Sequence, residues 1–405
     1  MDQPSISSFS PQTMFTIDNI PFGIVSINDN PPTIATIIEG WVYDLRALGE
    51  GQLFQNIPGV PAALKSSSLN AFAALGNEAT VALKKELREF VSNDTAHQTP
   101  CVYSESKITA FHLPFNIPDY TDFYASKVHA TNVGVLFRGK ENALQPNWVH
   151  LPVGYHGRSS SVVVSGTDFL RPQGQIGNPG SGEPVVAPCK KMDYEVELAC
   201  FIGKPNEMGQ PISVEDAHKH IFGYVIMNDW SARDIQAWEY VPLGPFLGKN
   251  FCTSISPWVV TPDALVGAEI ELTRDAEDPP LAPYLDGGKQ IFDIDFEVVV
   301  NDKKVGVCNS KDLYWSFPQM IAHHTIGGCP LSTGDLLGSG TISSTGDSGD
   351  ALTTVGSLLE ATHNGTKPID GLSFLKDGDV VTISAKSKNG VDMGSCTGAV
   401  LPSSN

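Results

Sequence analysis

Asp193-Tyr194-Glu195-Val196-Glu197-Leu198-Ala199-Cys200-Phe201 reads as a β-strand that runs from Tyr194 to Ile202. Residues two apart on a strand share a face. Val196, Leu198 and Cys200 therefore turn toward a core, and Glu195 and Glu197 project together on the other side. Two adjacent carboxylates repel unless positive charge lies between them or water screens them. Three readings stay open for this pair: a divalent cation, an Arg or Lys partner, or exposure to solvent.

Working outward, further strands are expected at Ser161–Val164, Gly223–Asn228, Asp293–Val300 and Val380–Ser384. Upstream, Pro21 to Ile27 and Thr33 to Leu45 are apolar and β-branched, with a turn at Asn28 to Pro32 and a break at Glu39-Gly40. A helix follows, capped by Asn77, in which Leu83, Leu87, Phe90 and Val91 recur at helical spacing. Ser213-Val-Glu-Asp216 and Ser231-Ala-Arg-Asp234 read as capping boxes, opening helices to His220 and to about Trp238. Many of the 38 Gly and 29 Pro fall in loops such as Gln173 to Gly182 and Ala276 to Gly288. Few helices among many strands favour a mixed sheet or β-roll over a doubly wound fold. A small β-rich unit closed by helices, residues 1–114, precedes a larger one, residues 115–405.

At 405 residues, 41% hydrophobic and 18% charged, the chain has the composition of a folded globular protein. A net charge of −19 repels phosphate backbones and anionic lipid, so neither nucleic acid nor membrane is an expected partner. No run reaches the roughly 20 apolar residues of a membrane helix. Met1 to Asn19 lacks the features of a signal peptide, and Pro402 to Asn405 matches no retention or peroxisomal tail. The seven cysteines form no C-x-x-C pair, as expected of reduced thiols in a cytoplasmic protein. The sequons Asn93-Asp-Thr95 and Asn364-Gly-Thr366 are then chance matches.

The chemistry is concentrated in three acidic stretches. Besides Glu195 and Glu197 there are Asp119-Tyr-Thr-Asp122-Phe-Tyr124, followed by His129, and Asn228-Asp229-Trp230-Ser231-Ala-Arg233. Asp229 ends an apolar strand, a position where binding groups collect in α/β sheets. Arg233, Gln236 and Tyr240 can share a helix face, which is either a site wall or a solvated surface. Asp122, Glu195, Glu197 and Asp229 offer carboxylates without thiolates, which suits Ca2+, Mg2+ or Mn2+ better than zinc. Arg233 and Lys249 can offset the remaining negative charge. His129 is either a structural histidine or a general base, and a base needs an orienting acid on its second ring nitrogen. Gly346-Asp-Ser348-Gly349 resembles a serine-protease nucleophile segment. Asp350 follows it, however, and no matching His or Asp segment supports a triad, so it reads as a surface turn.

Long runs then identify a resemblance. Asp119 to Tyr124, His129-Ala-Thr-Asn-Val-Gly134, Phe137-Arg138-Gly-Lys-Glu-Asn142, Leu151-Pro-Val-Gly-Tyr155-His-Gly-Arg158 and Met227 to Gln236 are similar to the fumarylacetoacetase family, as is Trp238 to Lys249. The resemblance implies an SH3-like β-barrel N-terminal domain and a mixed β-sandwich roll catalytic domain. It implies a homodimer that hydrolyses 4-fumarylacetoacetate, a small β-diketo acid, in the last step of tyrosine breakdown. It implies Ca2+ on Asp122, Glu195, Glu197 and Asp229, and Mg2+ near Asp229, Thr253 and Lys249, the last through its backbone carbonyl. Tyr124, Arg138, Tyr155, Gln236, Tyr240 and Thr341 match substrate-contacting positions, and Glu360 matches the partner of the catalytic His129. Arg233, Gln236 and Lys249 would stabilise the leaving enolate. Two rivals remain at this point: an acylpyruvate hydrolase or decarboxylase of the same superfamily, and an inactive metal-binding scaffold.

Overall fold

The computed structural model describes residues 15–93, 95–177, 182–346 and 352–404. Asp94 of the first sequon, Asp347 to Asp350 of the expected surface turn, most of the stretch read for a signal peptide, and Asn405 lie outside the described residues.

Near the amino terminus a five-stranded sheet has the order Val102–Ser104, Trp41–Asp44, Thr33–Ile38, Gly23–Ile27, Ile108–His112, with every pair antiparallel. Its first two hairpin turns fall where expected: Asn28 and Asp29 adopt φ of 50° and 59°, and Glu39 and Gly40 adopt 50° and 79°. Asn and Gly tolerate that region readily, Asp somewhat less so. The helix Asn77–Val91 buries Leu83 and Leu87, as the periodicity requires. Asn77 does not cap it. Gly76 takes the cap position at φ 85°, and no side chain closes the helix there.

The rest of the chain is mixed. Its main sheet has the order Gly154–His156, Tyr120–Phe123, Leu336–Gly338, Val196–Ile202, Ile221–Asp229, Thr253–Ile255, Val162–Val164. Two of its pairs are parallel, joining Leu336–Gly338 to Tyr120–Phe123 and Thr253–Ile255 to Val162–Val164. A second sheet runs Lys303–Asn309, Ile294–Val300, Val380–Ser387, Asp392–Leu401, Phe169–Leu170. The expected mixed, strand-dominated architecture is therefore observed.

Ser231 lies in a two-residue strand, so it caps nothing; the helix Arg233–Glu239 starts without a side-chain cap. The box at Ser213 opens only a 3-10 turn, Ala217–His220. The expected loop from Gln173 instead contributes the strand Gln173–Ile176, paired antiparallel with Val185–Pro188.

The strand Val196–Ile202 is buried on both faces. Val196, Leu198, Cys200 and Ile202 enter a large core that also holds Trp230, Trp315 and Ile383. Ala199 and Phe201 enter a second core that also holds Phe22, Phe72, Leu83 and Leu87. The glutamates are thus on a face roofed by protein, and Glu197 is 0% exposed. Solvent exposure, one of the three readings of the pair, is excluded.

Candidate active site

Three strands converge. Asp122 lies on Tyr120–Phe123, Glu197 on Val196–Ile202 with Glu195 just before it, and Asp229 closes Ile221–Asp229. Ladder pairing sets their register: Asp122 lies opposite Gly338, and Glu197 lies opposite Met227. Each of the four carboxylates offers an oxygen, and these oxygens all lie within 4.8 Å of one another. The Gly340 amide donates to Glu197 Oε2 at 2.9 Å and to Asp122 Oδ1 at 3.2 Å. Gly338 leaves the needed room, because a Cβ there would lie 2.6 Å from Asp122 Oδ1.

Positive charge enters from one side. The Lys249 ammonium contacts Glu195 and donates to Asp229 Oδ2 at 2.6 Å and Ser231 Oγ at 2.7 Å, so its three protons are all engaged. Arg233 reaches Glu195 Oε1 at 2.7 Å through Nη1 and Asp193 Oδ2 at 2.9 Å through Nε. The charge divides unevenly. Burial opposes ionisation of Glu195, but Lys249 and Arg233 outweigh it and bring its pKa down to about 2. Burial, then repulsion from Asp122 and Asp229, pushes Glu197 well above the carboxylate range, and Asp122 is raised by burial and by Asp229. Glu197 Oε1 is buried without a hydrogen-bond partner. A buried, unpartnered oxygen among mutually repelling carboxylates is what a hard dication would satisfy, so these residues fit such an ion.

The histidine and its acid meet. His129 is the third residue of the helix Lys127–Arg138, whose N-cap Ser126 accepts from the His129 amide at 3.2 Å. His129 Nδ1 and Glu360 Oε2 are 2.6 Å apart across 231 positions of sequence. Burial disfavours the Glu360 charge, yet the imidazole and the surrounding donors hold its pKa below the ordinary value. Those donors are Asn132 Nδ2 at 2.9 Å, Ser343 Oγ at 3.0 Å and Ser357 Oγ at 2.8 Å. The sequence reading missed all three, although Asn132 stands one helical turn after His129 and could have been found by that spacing. It also assigned no role to Asp193. That buried carboxylate accepts from Arg233 and from the amides of Leu358 and Leu359, joining the arginine to the helix that carries Glu360.

These groups open on a cavity of about 420 Å3. Tyr124, Arg138, Tyr155, Gln236, Tyr240 and Thr341 all line it, together with His129, Arg233 and Lys249. Asp229, Thr253 and Glu360 lie behind that lining; Thr253 Oγ1 donates to Asp229 Oδ1 at 3.3 Å. The Tyr155 hydroxyl also donates to Asp229, at 2.9 Å. Gln236 Oε1 accepts from Arg233 Nη1 at 3.2 Å, which leaves the amide NH2 as its donor to the cavity. Arg138 is tied by Nε to the Asn142 carbonyl at 3.0 Å and by Nη2 to that of Ala143 at 2.6 Å, so Nη1 is its free end. A buried acid cluster, an imidazole–carboxylate pair and several aimed donors can activate water and hold an anionic carbonyl compound.

Two family models match the chain: "Fumarylacetoacetate (FAA) hydrolase C-terminal" over residues 120–400 and "Fumarylacetoacetase N-terminal" over residues 18–114. The chain is 46% identical to "Fumarylacetoacetase fahA" of Aspergillus fumigatus, with 96% of each chain covered. It is 44% identical to the fumarylacetoacetases of Arabidopsis thaliana and Homo sapiens, again over 96% of each. Among solved structures, a fumarylacetoacetate hydrolase of psychrophilic Exiguobacterium antarcticum superposes with a TM-score of 0.55 at 18% identity. That superposition covers 95% of this chain and 99% of the other.

Proposed function

Because the chain belongs to the fumarylacetoacetase family, we propose that it is the hydrolase that splits the carbon–carbon bond of 4-fumarylacetoacetate into fumarate and acetoacetate, in the breakdown of tyrosine and phenylalanine. The observation that carries the mechanism is the 2.6 Å contact of His129 with Glu360 on the wall of a cavity lined by acids and donors.

With Nδ1 engaged by Glu360, His129 Nε2 is the nitrogen that takes a proton from water. Glu360 stabilises the imidazolium, and general-base catalysis of this kind contributes roughly 10²–10⁴-fold. The hydroxide adds to the carbonyl carbon of the fumaroyl half. Collapse of the adduct breaks the carbon–carbon bond and releases acetoacetate as its enolate. The imidazolium is the proton source that completes the exchange. The free Arg233 Nη2 and the Gln236 NH2 are donors for the negative oxygen. Lys249 can join them only by turning away from a present partner. Arg138 and the phenols of Tyr124 and Tyr240 suit the carboxylate ends of the substrate.

Asp122, Glu195, Glu197 and Asp229 would hold Ca2+, and Asp229, Thr253 and the Lys249 carbonyl would hold Mg2+. A divalent ion there supplies Lewis-acid polarisation of the diketone oxygens. The proposal extends to residues 1–114 and 115–405 as the two domains, a cytoplasmic location and a homodimer. No helix among the described residues is long and apolar enough to cross a membrane.

The deciding experiment follows loss of the substrate's ultraviolet absorbance with purified protein. Turnover should vanish on chelation and return with Ca2+ or Mg2+, and the added ion should raise the melting temperature. Full activity after verified metal removal would defeat the metal assignment, and no turnover with metal present would defeat the function. Sedimentation at the monomer mass of 43.4 kDa would count against the dimer.

A further inference from the structure

The segment Arg233 to Lys249 supplies Arg233, Gln236, Tyr240 and Lys249 to the cavity wall, and it closes on itself. One closure joins its ends: the Ala232 amide donates to the Gly248 carbonyl at 2.9 Å. Close packing seals that join, since a Cβ on Gly248 would lie 2.7 Å from Gln236 Cβ. The second closure is Glu239, the last residue of the helix Arg233–Glu239. Its Oε1 accepts from the amides of Phe246 and Gly248, each at 2.7 Å, and its Oε2 accepts from the amide of Leu247 at 3.0 Å. These three successive amides come directly before Lys249.

The turn has three further backbone bonds: the Gly244 amide donates to the Tyr240 carbonyl at 2.7 Å, and the amides of Lys249 and Asn250 donate to the Phe246 carbonyl at 3.1 and 2.9 Å. Val241, Leu243 and Phe246 are 67%, 97% and 67% exposed, so burial does not hold their side chains. Three backbone donors converging on one ionised acceptor make the strong, charge-assisted kind of hydrogen bond. Glu239 itself does not line the cavity.

We propose that Glu239 is a positioning residue for the reaction: its carboxylate fixes the path of residues 240–248 and through it the places of Tyr240 and Lys249. The inference rests on the reading of those two residues as substrate and leaving-group contacts. Without the carboxylate the three amides turn to water and the ammonium loses its fixed approach to Glu195 and Asp229. An amide in its place offers one acceptor oxygen and sets an NH2 against at least one amide donor, so Glu239→Gln keeps part of the closure and Glu239→Ala none.

The test measures kcat, KM, melting temperature and bound metal for full-length wild type, Glu239→Gln and Glu239→Ala, with fumarylacetoacetate as substrate. Glu239→Ala should lower kcat by about tenfold to 10²-fold, the scale of a small misplacement of site groups. Glu239→Gln should fall between it and wild type, with melting temperature and metal content kept. Wild type that fails to turn over fumarylacetoacetate defeats the functional reading, and this inference with it. Active wild type with variants of equal kcat and KM overturns this inference alone. Equal losses in both variants that follow a lowered melting temperature would make Glu239 a structural support only, and would also overturn it.

Discussion

His129 and Glu360 form the pair on which the chemistry turns, and substitution reads their coupling directly. His129→Ala should lower kcat by about 10²-fold or more with metal content unchanged, since the imidazole is not among the clustered ligands. Glu360→Gln should cost less, because an amide can still orient the ring without stabilising its charged form. The double variant should be barely slower than His129→Ala, because groups that act as one unit are not additive. Multiplicative losses would mean that Glu360 serves another group. At this scale the residue types were legible but their partners were not. The acids and His129 stood out by type and spacing, whereas Glu360 was placed only by family resemblance. The donors Ser343 and Ser357 lie far from His129 in sequence and gave no local signal. The spacing of Ser231 suits a helix cap, but its hydroxyl instead donates to the Asp229 carbonyl at 3.0 Å and accepts from Lys249.

Among the elements, the helix Lys127–Arg138 carries the base in its first turn and Arg138 in its last. Gly134 lies between them, where a Cβ would fall 1.8 Å from the Ala143 carbonyl oxygen. That closeness lets the turn at Asn142 and Ala143 reach the Arg138 guanidinium. Gly134→Ala should push the turn away and release Arg138, at an overpacking cost of about 1–3 kcal/mol. KM should rise more than kcat falls, because His129 sits at the far end of the helix. A normal KM with a depressed kcat would contradict that division. Strand positions were easily read, since β-branched runs between turn residues carry a two-residue period. Where the period failed, so did the reading. Gln173–Ile176 pairs with Val185–Pro188, yet its Gln- and Gly-rich sequence looks like loop. The alternation at Glu195 and Glu197 was right, but one strand cannot tell whether its second face meets water or another layer of protein.

For the molecule as a whole, the second core joins residues near the amino terminus to strands that carry the site. A buried cation crosses the same boundary. Lys84 Nζ, on the helix Asn77–Val91, donates to the Asn19 carbonyl at 2.8 Å and to Asp263 Oδ2 at 3.1 Å. Burial outweighs the pull of Asp263 and lowers the Lys84 pKa from 10.5 to about 8. The folded protein therefore loses this proton at lower pH than the unfolded chain does. Below pH 8 the burial penalty on the charge is fully present. It fades as pH rises toward 10.5, so the stability of wild type relative to Lys84→Met should rise across that window, by up to about 3 kcal/mol. Denaturant titrations of both proteins across the window would show it, and a relative stability that falls with pH would refute the assignment. The strand Val196–Ile202, enclosed on both faces, has a further consequence for motion. Its amides should be among the last in the molecule to take up deuterium, opening only when the whole protein unfolds. Traffic of substrate and product then cannot depend on breathing of the sheet that bears the acids. It must pass over the exposed rim at Phe137 and Leu243, where exchange should be fast.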